Sequence, residues 1–151
     1  MAELIREPLH VLLVEDNEAH AELVIRAMRD QQVENRIHHV SDGEQALDYL
    51  FSRGAFTDNV QNPRPNLVLL DLRLPRVDGI EVLRTVKSTP SLSRIPVVVL
   101  TSSDADSDIG KSYDYHANSY LVKPLDFKTF THLMKDLGYY WLGWNAQPLT
   151  D

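Results

Sequence analysis

Apolar residues along the chain fall into two alternating patterns. Short runs occur at Leu9–Val14, Leu67–Leu70 and Val97–Leu100. Runs of this length read as strands buried on both faces, as in a parallel sheet. Arg36–Val40 and Ser119–Val122 are weaker strand candidates. Between them lie segments with helical spacing. Leu23, Val24, Ala27 and Met28 fall on one face, as do Ile80, Leu83 and Val86 or Lys87. The clearest stripe is the last: Phe127, Phe130, Met134, Leu137 and Trp141 recur at helical intervals. Asn17, Asp42, Asp78, Asp104 and Asp126 stand near the expected helix starts. There an N-cap side chain satisfies orphan backbone N–H groups.

The order is strand then helix, repeated five times. Such alternation predicts a doubly wound α/β fold with helices on both faces of a five-stranded parallel sheet, in the flavodoxin-like order 2-1-3-4-5. The one long connection, Ser52 to Asn66, holds Gly54, Asn62, Pro63 and Pro65 and predicts an extended surface loop. From Gly143 to Asp151 an irregular tail is expected, with Pro148 interrupting any helix.

Composition narrows the function classes. A length of 151 residues suits one domain with one sizeable core, and 43% apolar residues exclude compositional disorder. Asp plus Glu number 22 against 15 Lys plus Arg, a net charge of −7. That balance offers no positive field for non-specific nucleic-acid binding. The absence of cysteine excludes disulfides and thiolate chemistry. The first apolar run ends at Glu15 and Asp16, far short of the roughly 20 residues a membrane span needs. The expectation is a soluble cytoplasmic protein with neither a nucleic-acid nor a membrane partner.

The chemistry lies at the strand ends. Glu15 and Asp16 follow the first strand and Asp71 ends the third. In the order 2-1-3-4-5 these strands are neighbours at the topological switch point, where ligands bind. Like charges gathered there repel unless a cation neutralises them. Oxygen ligands without His or Cys suit a hard cation, Mg²⁺ above all. Thr101 ends the fourth strand and Lys123 the fifth. Asp71 would then be a carboxylate nucleophile forming an acyl phosphate. Lys123 and the Thr101 hydroxyl would each bind a phosphoryl oxygen. Taken singly, each acid is more often a cap or turn residue, Lys123 a solvated lysine and Thr101 a buried hydroxyl. Their joint placement favours the site.

These residues resemble a known family. Leu12-Leu13-Val14-Glu15-Asp16, Leu69-Leu70-Asp71-Leu72-Arg73-Leu74-Pro75 with Asp78-Gly79, Val98-Val99-Leu100-Thr101-Ser102, and Tyr120-Leu121-Val122-Lys123-Pro124 look like the receiver domains of two-component signalling. The similarity runs from about Leu9 to Tyr140 and implies a single receiver domain over 1–151, with an aromatic extension at 139–151. It implies that Asp71 is the phosphoacceptor. Asp16, Glu15 (through water) and the backbone carbonyl of Arg73 would join Asp71 in holding Mg²⁺. Thr101 and Tyr120 match the switch pair, Lys123 matches the phosphate-sensing lysine, and the Lys123–Pro124 bond would be cis. Tyr120 would turn inward when the Thr101 hydroxyl moves to the phosphate. Ser102 is the small residue that leaves the phosphate approachable.

The loop Pro63-Arg64-Pro65-Asn66, the run Leu92 to Thr101 and the aromatic end Tyr139-Tyr140-Trp141-Leu142 resemble the cyanobacterial phytochrome response regulators. That resemblance implies a light-sensing histidine kinase as partner. The six histidines show no spaced metal pair, and His38 and His39 should face opposite ways on a strand. They read as incidental.

Three rival functions fit less well. An aspartyl-phosphate phosphatase wants a general acid two residues after the nucleophile, and Arg73 cannot serve. A flavodoxin-type flavin carrier would meet the repulsion of Glu15 and Asp16. A degenerate docking receiver is disfavoured because nothing is missing from the phosphorylation set. Output is expected through protein contacts or onward phosphotransfer. Tyr139, Tyr140, Trp141 and Trp144 crowd the end of the last helix, with Gly138 before the group and Gly143 before Trp144. Such a cluster points to an interaction surface. Receivers commonly associate through the face of the fourth helix, fifth strand and fifth helix, so the resemblance implies a homodimer there, anchored by Tyr140, Leu142 or Trp144. The rival arrangement folds the tail back over its own domain.

Overall fold

A computed structural model of the chain describes residues 8–30 and 34–138. Its elements follow the expected alternation. They are β1 (Leu9–Val14), α1 (Glu18–Arg29), β2 (Asn35–Val40), α2 (Gly43–Leu50), β3 (Leu67–Leu70), α3 (Gly79–Ser88), β4 (Val97–Thr101), α4 (Asp106–Asp114), β5 (Ser119–Val122) and α5 (Phe127–Gly138). The five strands are parallel in the order β2-β1-β3-β4-β5.

Side-chain alternation along the strands divides the core in two. Leu12, Val14, Val68, Leu70, Val97 and Val99 face α2 and α3, where they meet Ala46, Leu50, Val82, Leu83 and Val86. Val11, Leu13, Leu67, Leu69, Val98 and Leu100 face α1 and α5, meeting Val24, Met28, Phe130 and Met134. With both faces covered, β3 and β4 as far as Leu100 need no polar position, which is why they read as unbroken apolar runs.

Asn17 caps α1 by accepting from the His20 N–H, and Asp42 caps α2 by accepting from Gln45. Asp126 accepts from the Thr129 N–H at the start of α5. Asp104 does not cap α4: Ala105 holds the N-cap position without a side-chain bond. Ser103 Oγ instead accepts from the Ala105 N–H at 3.4 Å.

One further expectation is corrected. Phe127 does not belong to the buried stripe of α5. It opens the helix 73% exposed, before the helix has settled on the sheet, and the stripe begins at Phe130. The Ser52–Asn66 connection runs largely over the surface, as expected, and is tied down along its length. It contains a single 3-10 turn at Gly54–Phe56, the Phe56 ring lies 5.3 Å from that of Tyr49, and the Tyr49 hydroxyl donates to the Pro63 carbonyl. Trp141 and the aromatic residues Tyr139, Tyr140 and Trp144 lie outside the described residues.

Candidate functional site

Parallel pairing aligns the carboxyl ends of β1, β3, β4 and β5 along one edge of the sheet. Glu15 and Asp16 leave β1, Asp71 leaves β3, Thr101 ends β4 and Lys123 leaves β5. Glu15, Asp71, Thr101 and Lys123 are buried and Asp16 is exposed. The loop holding Asp71 is kept in place partly by Gly79, the first residue of α3. Its N–H donates to the Leu72 carbonyl at 3.0 Å. A Cβ there would lie 2.3 Å from the Asp71 carbonyl oxygen, so no larger residue fits without moving the loop.

Donors surround the Asp71 carboxylate. Oδ1 accepts from the Thr101 hydroxyl at 2.9 Å and from the Arg73 N–H at 3.1 Å. Oδ2 accepts from Lys123 Nζ at 2.9 Å. Lys123 also donates to Glu15 Oε1 and lies 3.1 Å from His20 Nδ1. Glu15 Oε2 accepts from the Asn17 N–H, and the Glu15 carbonyl accepts from His39 Nε2 at 2.7 Å.

Burial sets the electrostatics. It pushes Glu15 up to about 7 against the pull of the Lys123 hydrogen bond and charge. Burial acts the same way on Asp71, but there the Lys123 bond and charge prevail and hold it below the usual aspartate value. Two carboxylates competing for one ammonium end in unequal states. His20 is held below the ordinary histidine value, first by burial and then by the Lys123 charge.

Oxygens of Glu15, Asp16 and Asp71 lie within 4.8 Å of one another. Lys123 supplies one positive charge against three acids, so the cluster retains a deficit that a further cation would relieve. All three donors are hard oxygens, and exposed Asp16 leaves one side open to solvent. The residues therefore fit a divalent cation that keeps part of its water.

The first residues of α4 belong to the same neighbourhood. Asp108 Oδ2 accepts from Arg73 Nη2 and from the Ser103 hydroxyl, both at 2.6 Å. The Ser103 carbonyl accepts from the half-buried Tyr120 hydroxyl at 2.8 Å. The Ser103 N–H reaches Thr101 Oγ1 at 3.5 Å. Tyr120 is thus one residue away from Thr101 through hydrogen bonds.

A family model described as the response regulator receiver domain matches residues 11–135. The chain belongs to the response regulator receiver family. This receiver is 46% identical over 142 residues to the probable methanogenesis regulatory protein FilR2 of Methanothrix harundinacea, covering 94% of this chain and 89% of that protein. It is 39% identical over 135 residues to the response regulator Rcp1 of Synechocystis, covering 89% of this chain and 90% of that protein. The structure of the Mn²⁺-bound form of Rcp1 superposes with a TM-score of 0.90 at 38% identity, covering 94% of this chain and 100% of that chain. The phosphorylated cyanobacterial phytochrome response regulator RcpA also gives 0.90 at 38% identity, covering 95% and 100%. The receiver is therefore a two-component signalling protein related to the phytochrome response regulators.

The residues expected at the phosphorylation site, Glu15, Asp16, Asp71, Arg73, Thr101, Tyr120 and Lys123, lie in this one neighbourhood. The Lys123–Pro124 bond is the exception to expectation. No peptide bond among the described residues is cis, so it is trans. The sequence reading missed His20, His39 and Asp108. His20 and His39 were set aside for want of metal-ligand spacing, yet both touch the site as hydrogen-bonding groups. No spacing rule links a first-turn histidine to a lysine 103 positions away.

Proposed function

We propose that this receiver is a phosphorylation switch, with Asp71 accepting a phosphoryl group from the phosphohistidine of a kinase. A carboxylate oxygen of Asp71 attacks phosphorus, the P–O bond forms as the P–N bond breaks, and the departing imidazole keeps the electron pair and takes a proton. Glu15, Asp16, Asp71 and the backbone carbonyl of Arg73 would hold Mg²⁺, Glu15 through water. A Mg²⁺ ion held by them would supply positive charge to the transferring phosphoryl oxygens. Lys123 and the Thr101 hydroxyl, which already bond to Asp71, would donate to the other phosphoryl oxygens. The observation carrying this reading is the convergence of an ammonium, a hydroxyl and a backbone N–H on one buried carboxylate beside an acidic cluster.

The response follows through Ser103. Thr101 moving toward the phosphoryl group draws on the loop whose carbonyl holds Tyr120. Thr101 and Tyr120 are the switch pair on this reading. Output goes through protein contacts. Four exposed apolar residues, Tyr113, Val122, Leu125 and Phe127, lie on α4, β5, the following loop and α5, the face proposed for a homodimer. The partner kinase is of phytochrome type, in line with the likeness to Rcp1 and RcpA. The 46% identity to FilR2 favours a second reading, a histidine kinase that answers a signal other than light. Phosphotransfer rates from purified kinases of both types separate the two.

The direct test uses acetyl phosphate, Mg²⁺ and intact-mass measurement. Wild type gains one labile phosphoryl group. Asp71→Asn gains none, and Asp16→Ala gains none through loss of the metal. A wild-type yield from Asp71→Asn overturns the assignment.

A further inference from the structure

An ammonium has three N–H donors and no acceptor. Buried, it must find three partners or lose much of its hydration energy. Lys123 is 5% exposed. Two of its contacts go to the carboxylates of Glu15 and Asp71. The third goes to His20 Nδ1 at 3.1 Å. Because an ammonium cannot accept, Nδ1 must be the acceptor, and the ring proton then sits on Nε2. The imidazole in this contact is neutral.

His20 is well placed to hold still. It lies in the first turn of α1, and its backbone N–H donates to the Asn17 cap at 3.1 Å. Its ring centroid lies 5.4 Å from that of Phe130 on α5, at a tilt of 40°. One side chain therefore ties the Lys123 ammonium to the packed interface of α1 and α5.

We propose that His20 is a positioning residue that keeps the Lys123 ammonium directed at Asp71 through the phosphorylation cycle. The proposal rests on the reading of Asp71 as phosphoacceptor. Of the three acceptors around Lys123, Glu15 and Asp71 also belong to the acidic cluster. Those carboxylates are drawn toward any cation bound there, and a phosphoryl group on Asp71 replaces the charge that Lys123 now faces. His20 carries no charge and lies outside the cluster. Its bond alone persists while the other two are exchanged. Without it, one donor of a buried ammonium is unpaired and the lysine can turn toward Glu15.

Two substitutions separate the acceptor from the ring. His20→Leu keeps an apolar group against Phe130 and removes the acceptor. His20→Gln supplies an amide oxygen that can accept from Nζ. The first readout is the ¹⁵N–¹H signal of the Lys123 ammonium in metal-free, unphosphorylated protein, identified by its loss in Lys123→Gln. It is expected in wild type, lost to solvent exchange in His20→Leu and restored in His20→Gln. The second is phosphorylation by acetyl phosphate with Mg²⁺. The maximal rate should fall about tenfold in His20→Leu, the scale of one lost hydrogen bond to a charged group, with little change in half-saturating donor concentration. Most of the rate returns in His20→Gln. An intact ammonium signal and an unchanged maximal rate in His20→Leu overturn the proposal. So does an equal loss of rate in both variants with the signal intact, which makes His20 a packing residue. Asp71→Asn run alongside reports on the phosphoacceptor reading separately, while the ammonium signal still decides the contact between His20 and Lys123.

Discussion

Lys123 stands between two carboxylates in a buried site, and its removal takes away the ammonium that both pair with. Lys123→Met is expected to destabilise the metal-free protein by about 3–5 kcal/mol, the usual consequence of breaking a buried ion pair from one side. Urea denaturation measures the loss, and Mg²⁺ should recover part of it by binding only the folded state. An unchanged midpoint would mean that the acids are already protonated without the lysine. At this scale the sequence was informative wherever a residue closes a strand. Glu15, Asp71, Thr101 and Lys123 each follow or end an apolar run, and the strand order alone brings them together. It was uninformative about side chains that arrive from helices. His20 and Asp108 reach the site because of a cap angle and a helix position that no local pattern encodes. Lys87 shows the same limit. Helical spacing left the inner position open between Val86 and Lys87, and both are used. Val86 is buried, while Lys87 is half-buried and its Nζ donates to the carbonyls of Ser93 and Ile95.

Helix α4 had no legible apolar stripe, and its sequence Asp106–Asp114 explains why: among its described side chains Ser112 is the buried one, bonded to the Asp108 carbonyl. Such a helix depends on polar ties, and Asp108 provides them to both the Asp71 and Thr101 loops. The Arg73 guanidinium is held by this carboxylate two residues beyond Asp71. Arg73→Ala should speed loss of the phosphoryl group by opening the approach of water, without preventing phosphorylation. Asp108→Ala should do the same by releasing Arg73. The double variant should then be no faster than either single one. Additive effects in the logarithm of the dephosphorylation rate would show that the two act separately. Strands β1 and β2 carry a different kind of tie. His10 Nδ1 and His38 Nε2 lie 3.1 Å apart across the pair, and His38 stacks toward Tyr49. Burial, then the neighbouring His10 and Arg36, hold His38 below its ordinary value of 6.5. The unfolded chain therefore binds more protons just below that pH, so stability rises with pH through the window and falls on acidification. His38→Gln should lower the pH 7.5 midpoint relative to the pH 5.5 midpoint by removing this contribution, while His20 and the oppositely shifted Glu15 keep theirs; an unchanged difference would place the acid sensitivity elsewhere.

For the whole molecule, the fold was legible because a parallel sheet covered on both faces has little choice of pattern: apolar runs, intervening helices and one switch point. What pattern could not supply was the way the surface is used. Leu125 is fully exposed and Phe127 73% exposed beside β5, although helical spacing assigned Phe127 to the core. Leu125→Asp with Phe127→Asp should shift sedimentation toward monomer if this face joins two copies. Equal sedimentation of wild type and variant at high micromolar concentration, phosphorylated or not, would exclude that use. The strand order also bears on how the molecule comes together. The Lys123–Glu15 contact closes a loop of 108 positions, whereas β1 and β3 pair at Val11 and Leu67. Any assembly in which β5 docks last therefore gathers Glu15, Asp16 and Asp71 before Lys123 reaches them. A nascent sheet in that condition is strained by its own charge, and dissolved Mg²⁺ can stand in for the missing ammonium. Refolding followed by far-ultraviolet circular dichroism should be faster with Mg²⁺ present. A cation associated with signalling would then also act as a folding aid, because the charge that closes the site comes from the last strand made.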